Sequence, residues 1–219
     1  MRELTTGKLR DAILSLRFKP GEHLVERVLC EQTGVSRSCL REALQHLESE
    51  GLIERRGGRG VFVASVTVEE ARQIYEVRAA LEPEIGRLFC ERASEEDING
   101  LFDAVEALGE AMEAHDIQSY VKALDGFYET LCAGSRNLIA RRILQTLQGR
   151  MSYLRAVTTA KASESRERET VQLMQEMAQA AQRRDPTEVA RRCRAFVERS
   201  AAFAVEVLSE KAVPENSPP

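Results

Sequence analysis

Residues 34–51 read GVSRSCLREALQHLESEG. Their order predicts a turn followed by a helix whose first turn is built to touch DNA. Ser36 is a good N-cap, because its hydroxyl can accept from a free backbone N–H. Arg37 and Arg41 stand four apart and share one face. Leu40, Leu44 and Leu47 form an apolar stripe at helical spacing on another. Gly51 stands where a left-handed C-terminal residue is wanted. Such a helix buries its leucines and presents two arginines at its N-terminal end, the end that a recognition helix places in a major groove.

The flanks extend this reading. Upstream, PGEHLVERVLCEQT (residues 20–33) predicts a turn at Pro20-Gly21 and a short helix through Val25, Leu29 and Thr33. The tight Gly34-Val35 turn then gives a helix-turn-helix spacing. Downstream, Leu52-Ile53-Glu54 and Val61-Phe62-Val63 read as two short strands around a cationic, glycine-rich tip, Arg55-Arg56-Gly57-Gly58-Arg59-Gly60. Glycines there permit positive φ and close backbone approach to a surface. A single arginine on a helix is ordinarily a solvated surface residue, and GGRG lacks the GxxxxGK[ST] spacing of a phosphate loop. The combination of capped helix, paired arginines, glycine stop and basic hairpin is specific, and it predicts a winged helix-turn-helix.

The stretch resembles the GntR family of bacterial transcription regulators. The resemblance is carried by Pro20-Gly21, Leu24, Glu26, Gly34-Val35-Ser36-Arg37, Leu40-Arg41-Glu42-Ala43-Leu44, Leu47, Gly51-Leu52 and Arg59-Gly60. It implies DNA contacts from Arg27, Ser36, Arg37, Ser38, Arg41, Gly58 and Arg59. Cys39 joins that set by position, although the family more often has Pro or Thr there. Further on, Arg78-Ala79-Ala80-Leu81-Glu82 resembles the VRxxLE signature that opens the helical FCD effector domain of the FadR branch.

Composition agrees with a two-part chain of 219 residues. Residues 1–65 carry 11 Lys and Arg against 9 Asp and Glu, net +2, and the remainder carries 20 against 26, net −6. A mildly basic head on an acidic body suits a reader of specific DNA rather than a general nucleic-acid binder. The five cysteines, at 30, 39, 90, 132 and 193, are odd in number and form no CxxC. They point to neither a zinc site nor a disulfide framework, and to a reducing cytoplasm. The absence of a signal sequence or long apolar run predicts a soluble cytoplasmic protein.

From Thr67 on, start signals follow one another. Thr67-Val68-Glu69-Glu70 is a capping box for a helix through Ile74, Val77, Leu81, Ile85 and Leu88. Ser94 caps a second helix ending near His115. A third runs from about Ile117 to Cys132 and is stopped by Gly134. Asn137 caps a fourth, and a fifth spans about Arg166 to Arg184. Asp185-Pro186-Thr187-Glu188 opens the last. Six helices with short connections predict an antiparallel all-α bundle over residues 66–210, with a disordered tail at 211–219.

Many FCD domains hold a metal through one Asp and three His, and the resemblance places those positions at Leu124, Tyr128, Thr170 and Phe196. The chain has only His23, His46 and His115. Leu, Tyr, Thr and Phe do not make a transition-metal site, so no metal and no other cofactor is expected. The candidate effector-binding residues are Arg78, Asp125, Tyr128, Arg155, Thr170 and Phe196, with Arg150 a further cation for an anionic ligand. The bland alternative is that Arg78 pairs with an acidic neighbour while Tyr128 and Phe196 are core. The sequence shows no nucleophile–base pair or nucleotide loop, so an enzyme is not expected. The expected partners are a pseudo-palindromic double-stranded operator, a second copy of the chain and a small effector, with no membrane.

Overall fold

The computed structural model describes residues 2–212 and is mainly α-helical, with one small antiparallel sheet. Contacts divide it into two compact units. One holds the chain up to Val66 together with Gln145–Ala156, and the other holds the rest.

The first unit contains α1 (Arg2–Leu14), β1 (His23–Leu24), α2 (Glu26–Thr33), α3 (Arg37–Ser49), β2 (Ile53–Arg56) and β3 (Gly60–Val63). Helix α1 was not foreseen. It packs on α3 and buries Thr5, Thr6, Leu9 and Ile13. Its Arg10 grips Glu50 at the end of α3 through Nε at 2.9 Å and Nη2 at 2.5 Å. Leu40, Ala43, Leu44 and Leu47 of α3 close the core with Leu24, Leu29, Ile53, Val61 and Val63. Strand order is β1-β3-β2, with Ile53 opposite Val63 and Arg56 opposite Gly60. Gly51 has φ +74° and ends α3 as expected. Gly149, in the Gln145–Ala156 stretch, lies so close to α3 that a Cβ there would sit 1.8 Å from the Glu50 carbonyl oxygen.

The second unit contains α4 (Val68–Arg92), α5 (Glu95–Glu113), α6 (Ile117–Gly134), the flanking parts of α7 (Leu138–Thr159), α8 (Glu164–Gln182) and α9 (Pro186–Ala212). Thr67 and Ser94 both make reciprocal capping boxes, with Glu70 and Asp97. Helix α8 begins two residues earlier than the sequence suggests, because Ser163 accepts from the Arg166 N–H. Gly134 is not the left-handed stop of α6. Arg136 takes the positive φ, and Gly134 instead makes room for the Phe89 ring, 2.4 Å from where a Cβ would stand. Helices α4 and α9 run antiparallel, since Gly86 meets Val189 and Cys193 while Arg78 meets Phe196. The stretch expected to be a disordered tail lies, beyond Ala212, outside the described residues.

Candidate nucleic-acid interface and effector core

Helix α3 presents its polar face because its leucines are committed to the core. Ser36, with ψ 155°, accepts from the Cys39 N–H at 3.3 Å and fixes the entry of the helix. Its hydroxyl also lies 3.0 Å from that of Ser38. Arg37, Ser38 and Arg41 are all exposed. Cys39 turns the other way: it is half-buried, with its sulfur 4.0 Å from the Thr5 hydroxyl of α1. Helical periodicity explains this, as Cys39 lies next to the buried Leu40 side of the helix rather than in the 37–41 row.

The cations of this unit fall into two groups. Arg41 Nε donates to Glu26 at 3.0 Å, Arg55 Nε to Glu48 at 3.0 Å, and Arg27 Nη1 to Glu31 at 2.6 Å. Arg56 is bound twice by Glu54 and lies 4.6 Å over the Phe62 ring, which also stacks on His23. Among the described residues, no carboxylate pairs with Arg37 or Arg59. The strands run further than the sequence suggests, so Arg55 and Arg56 belong to β2. The turn itself is Gly57-Gly58-Arg59, closed by the Arg59 N–H on the Arg56 carbonyl at 2.7 Å. Gly58 has φ +69° and nothing within 4 Å of a Cβ position, which leaves the tip thin and open.

In the second unit, Arg78, Tyr128 and Phe196 meet. Arg78 is 2% exposed and pairs with Glu82, itself 2% exposed, through Nε at 2.5 Å and Nη2 at 3.2 Å. Its guanidinium lies 4.9 Å from the Tyr75 ring, 5.5 Å from Tyr128 and 6.0 Å from Phe196. Burial alone would lower its pKa, but the Glu82 charge and hydrogen bond outweigh that and hold it above the ordinary arginine value. The rings of Tyr128 and Phe196 are 5.6 Å apart.

Thr170 sits in a separate polar knot. It accepts from Arg199 Nη2 and donates to the Arg166 carbonyl at 3.0 Å. Arg199 also holds Glu169, and Arg166 packs 3.9 Å over Phe203. Burial and the nearby Arg199 charge lower the Arg166 pKa. Tyr120, hydrogen-bonded to Thr170, is pushed by burial to about 12. No local sequence signal marks Arg166, Arg199 or Tyr120 as members of this knot. Asp125 is half-buried on α6. Arg155 is buried and Arg150 exposed, and both fall in the Gln145–Ala156 stretch of the first unit, whereas Tyr128, Thr170 and Phe196 belong to the second.

The metal implied by the family resemblance does not fit these residues. Leu124 and Phe196 offer no donor atom, and the Tyr128 ring faces a guanidinium. Among the described residues no group of three His, Cys, Asp or Glu is placed to hold an ion. A cavity of about 240 Å³ lies nearby, lined by Met112, His115, Ile117, Tyr120 and Glu167 among others. No described helix is long and apolar enough to cross a membrane.

Known proteins share both parts. Residues 3–63 match the family model described as bacterial regulatory proteins, gntR family, and residues 73–199 match the FCD domain. The Nta operon transcriptional regulator of Aminobacter aminovorans is 31% identical over 142 residues, covering 65% of this chain and 67% of that one. An HTH-type transcriptional regulator from the TAR-I ttuE-ttuC' intergenic region of Agrobacterium vitis is 33% identical over 128 residues, covering 57% and 75%. The solved structure of E. coli McbR/YncC has the same fold, with a TM-score of 0.78 at 21% identity, covering 97% of this chain and 98% of that one.

Proposed function

We propose, on the premise that the chain belongs to the gntR family of bacterial regulatory proteins and carries an FCD domain, that it is a homodimeric transcriptional repressor of the cytoplasm. Its operator is a short pseudo-palindrome, because a two-fold protein is matched by two-fold DNA. The observation that carries this reading is the exposed Arg37–Arg41 row on a helix whose other face is fully buried. Arg27, Ser36, Ser38, Gly58 and Arg59 complete the contact surface.

A small organic acid bound in the helical unit modulates the heads. What supports an acid is the pair Arg166 and Arg199 beside Thr170, where burial and the neighbouring Arg199 charge lower the Arg166 pKa and an anion would relieve the repulsion. To act, the ligand must bind one arrangement of the protein better than the other. A second reading, a regulator whose bundle serves only dimerisation or protein partners, is favoured by the dense packing of Arg78, Tyr128 and Phe196. A thermal-shift screen of the purified protein against carboxylate metabolites, with operator release as second readout, separates the two. A compound that raises the midpoint and releases DNA supports the effector reading. No shift with any compound supports the ligand-free one.

A further inference from the structure

The carboxylate of Glu26 is the meeting point of three elements. It stands in the first turn of α2, where an acidic group is favoured by the helix dipole. Its Oε2 accepts from Arg41 Nε of α3 at 3.0 Å, and its Oε1 lies 4.0 Å from Arg55 Nη1 of β2. Arg55 is tied in turn to Glu48 of α3 through Nε at 3.0 Å. Glu26 is more sheltered than its partner, with 28% of its side chain exposed against 67% for Arg41.

A guanidinium has five N–H donors in a fixed fork. Engaging Nε leaves Arg41 the four N–H groups of Nη1 and Nη2 as one end-on fork on a side chain that is 67% exposed. That fork matches the O6 and N7 acceptors of a guanine edge in the major groove. Arg37 and Arg59 pair with no carboxylate among the described residues, so their geometry is not fixed in this way.

We infer that Glu26 is a positioning residue for sequence readout: it aims Arg41 at a base edge, while Arg37 and Arg59 neutralise phosphates. A carboxylate this near DNA repels the backbone, so its benefit lies in specificity rather than raw affinity. The inference rests on the DNA-interface reading above and adds a division of labour among its arginines.

The test uses the full chain and the duplex that the wild-type protein enriches from a random-sequence library, beside a scrambled duplex of equal length. Affinities for both are measured over a salt series for Glu26→Ala, Glu26→Gln, Arg41→Ala and Glu26→Ala/Arg41→Ala. Glu26→Ala should lower the ratio of selected to scrambled affinity about tenfold or more, with scrambled affinity unchanged or raised. Glu26→Gln retains an oxygen acceptor for Nε and should lose less. The double variant should lose no more than Arg41→Ala alone. Where Glu26→Ala fails to fold, Glu26→Gln takes its place in the cycle. Equal strengthening on both duplexes would reduce Glu26 to a repelling charge and overturn the inference, as would additive losses in the double variant. A full ratio in Arg41→Ala would instead overturn the recognition helix itself, and the role of Glu26 with it.

Discussion

Arg41 in the first unit and Arg78 in the second each meet a glutamate, and almost everything else about them differs. The Arg41 pair is exposed, joins two helices and leaves most of the guanidinium free. The Arg78 pair is within one helix, excluded from water and enclosed by three rings. In water such a pair is worth about 0–1 kcal/mol, so it adds little to stability and leaves the two Nη groups of Arg41 available to a base edge. Inside the bundle, desolvation is expensive and the partner cannot be given up. The same two residue types therefore serve recognition in one unit and architecture in the other.

The largest effect is expected at Arg78. Arg78→Met leaves Glu82 buried without its counterion and should cost roughly 3–5 kcal/mol in urea unfolding. Arg78→Met/Glu82→Leu, which removes both charges, should recover most of that. An Arg78→Met protein as stable as the parent would mean the pair is not buried in solution. Next in size is Arg41→Ala, which should lose roughly 1–3 kcal/mol of operator binding per base contact while its melting midpoint stays within experimental scatter of the parent. A melting change as large as the binding loss would show that Arg41 supports the fold rather than reading DNA.

Smaller effects sharpen the contrast. Arg59→Ala should weaken binding to all sequences alike and make the salt dependence of log affinity shallower by about one. A change confined to the selected duplex would move Arg59 into base readout. The smallest effect expected is none. Dialysis against a chelator should alter neither melting midpoint nor operator affinity, since a guanidinium faces the rings at the family's metal positions. A midpoint that falls with chelator and returns with an added divalent ion would contradict this.

Local signals in the sequence located much of this, and only tertiary contacts reveal the remainder. Ser36, Thr67 and Ser94 announce helix starts because a cap and its partner sit within three residues of each other. The Arg78–Glu82 pairing is visible as an i,i+4 spacing. Helix α1 escaped notice because two of its buried positions, Thr5 and Thr6, are hydroxyls, which thin the apolar stripe below recognition. Gly134 was misread for a related reason: its requirement comes from Phe89, forty-five positions away, not from its own helix end. Arg199 carries no local mark at all, since its contact with Thr170 spans twenty-nine residues in a segment crowded with arginines. Periodicity turns Cys39 inward, but the group it meets, the Thr5 hydroxyl, belongs to α1, an element the pattern does not reveal.

The close approach of α4 and α9 has a practical consequence. Gly86 lets the two backbones come so near that a Cβ there would lie 2.9 Å from the Cys193 sulfur, which also contacts Met177 at 3.5 Å. Cys193 is fully buried, and burial raises its thiol pKa well above the ordinary value. A labelling reagent therefore reaches this sulfur only when the helix pair separates. Its labelling rate reports the opening free energy of that pair when closing outruns the chemistry. The chain thus carries a native thiol clock for breathing of the bundle, readable by mass spectrometry, and a ligand seated among these helices would slow it in proportion to its occupancy.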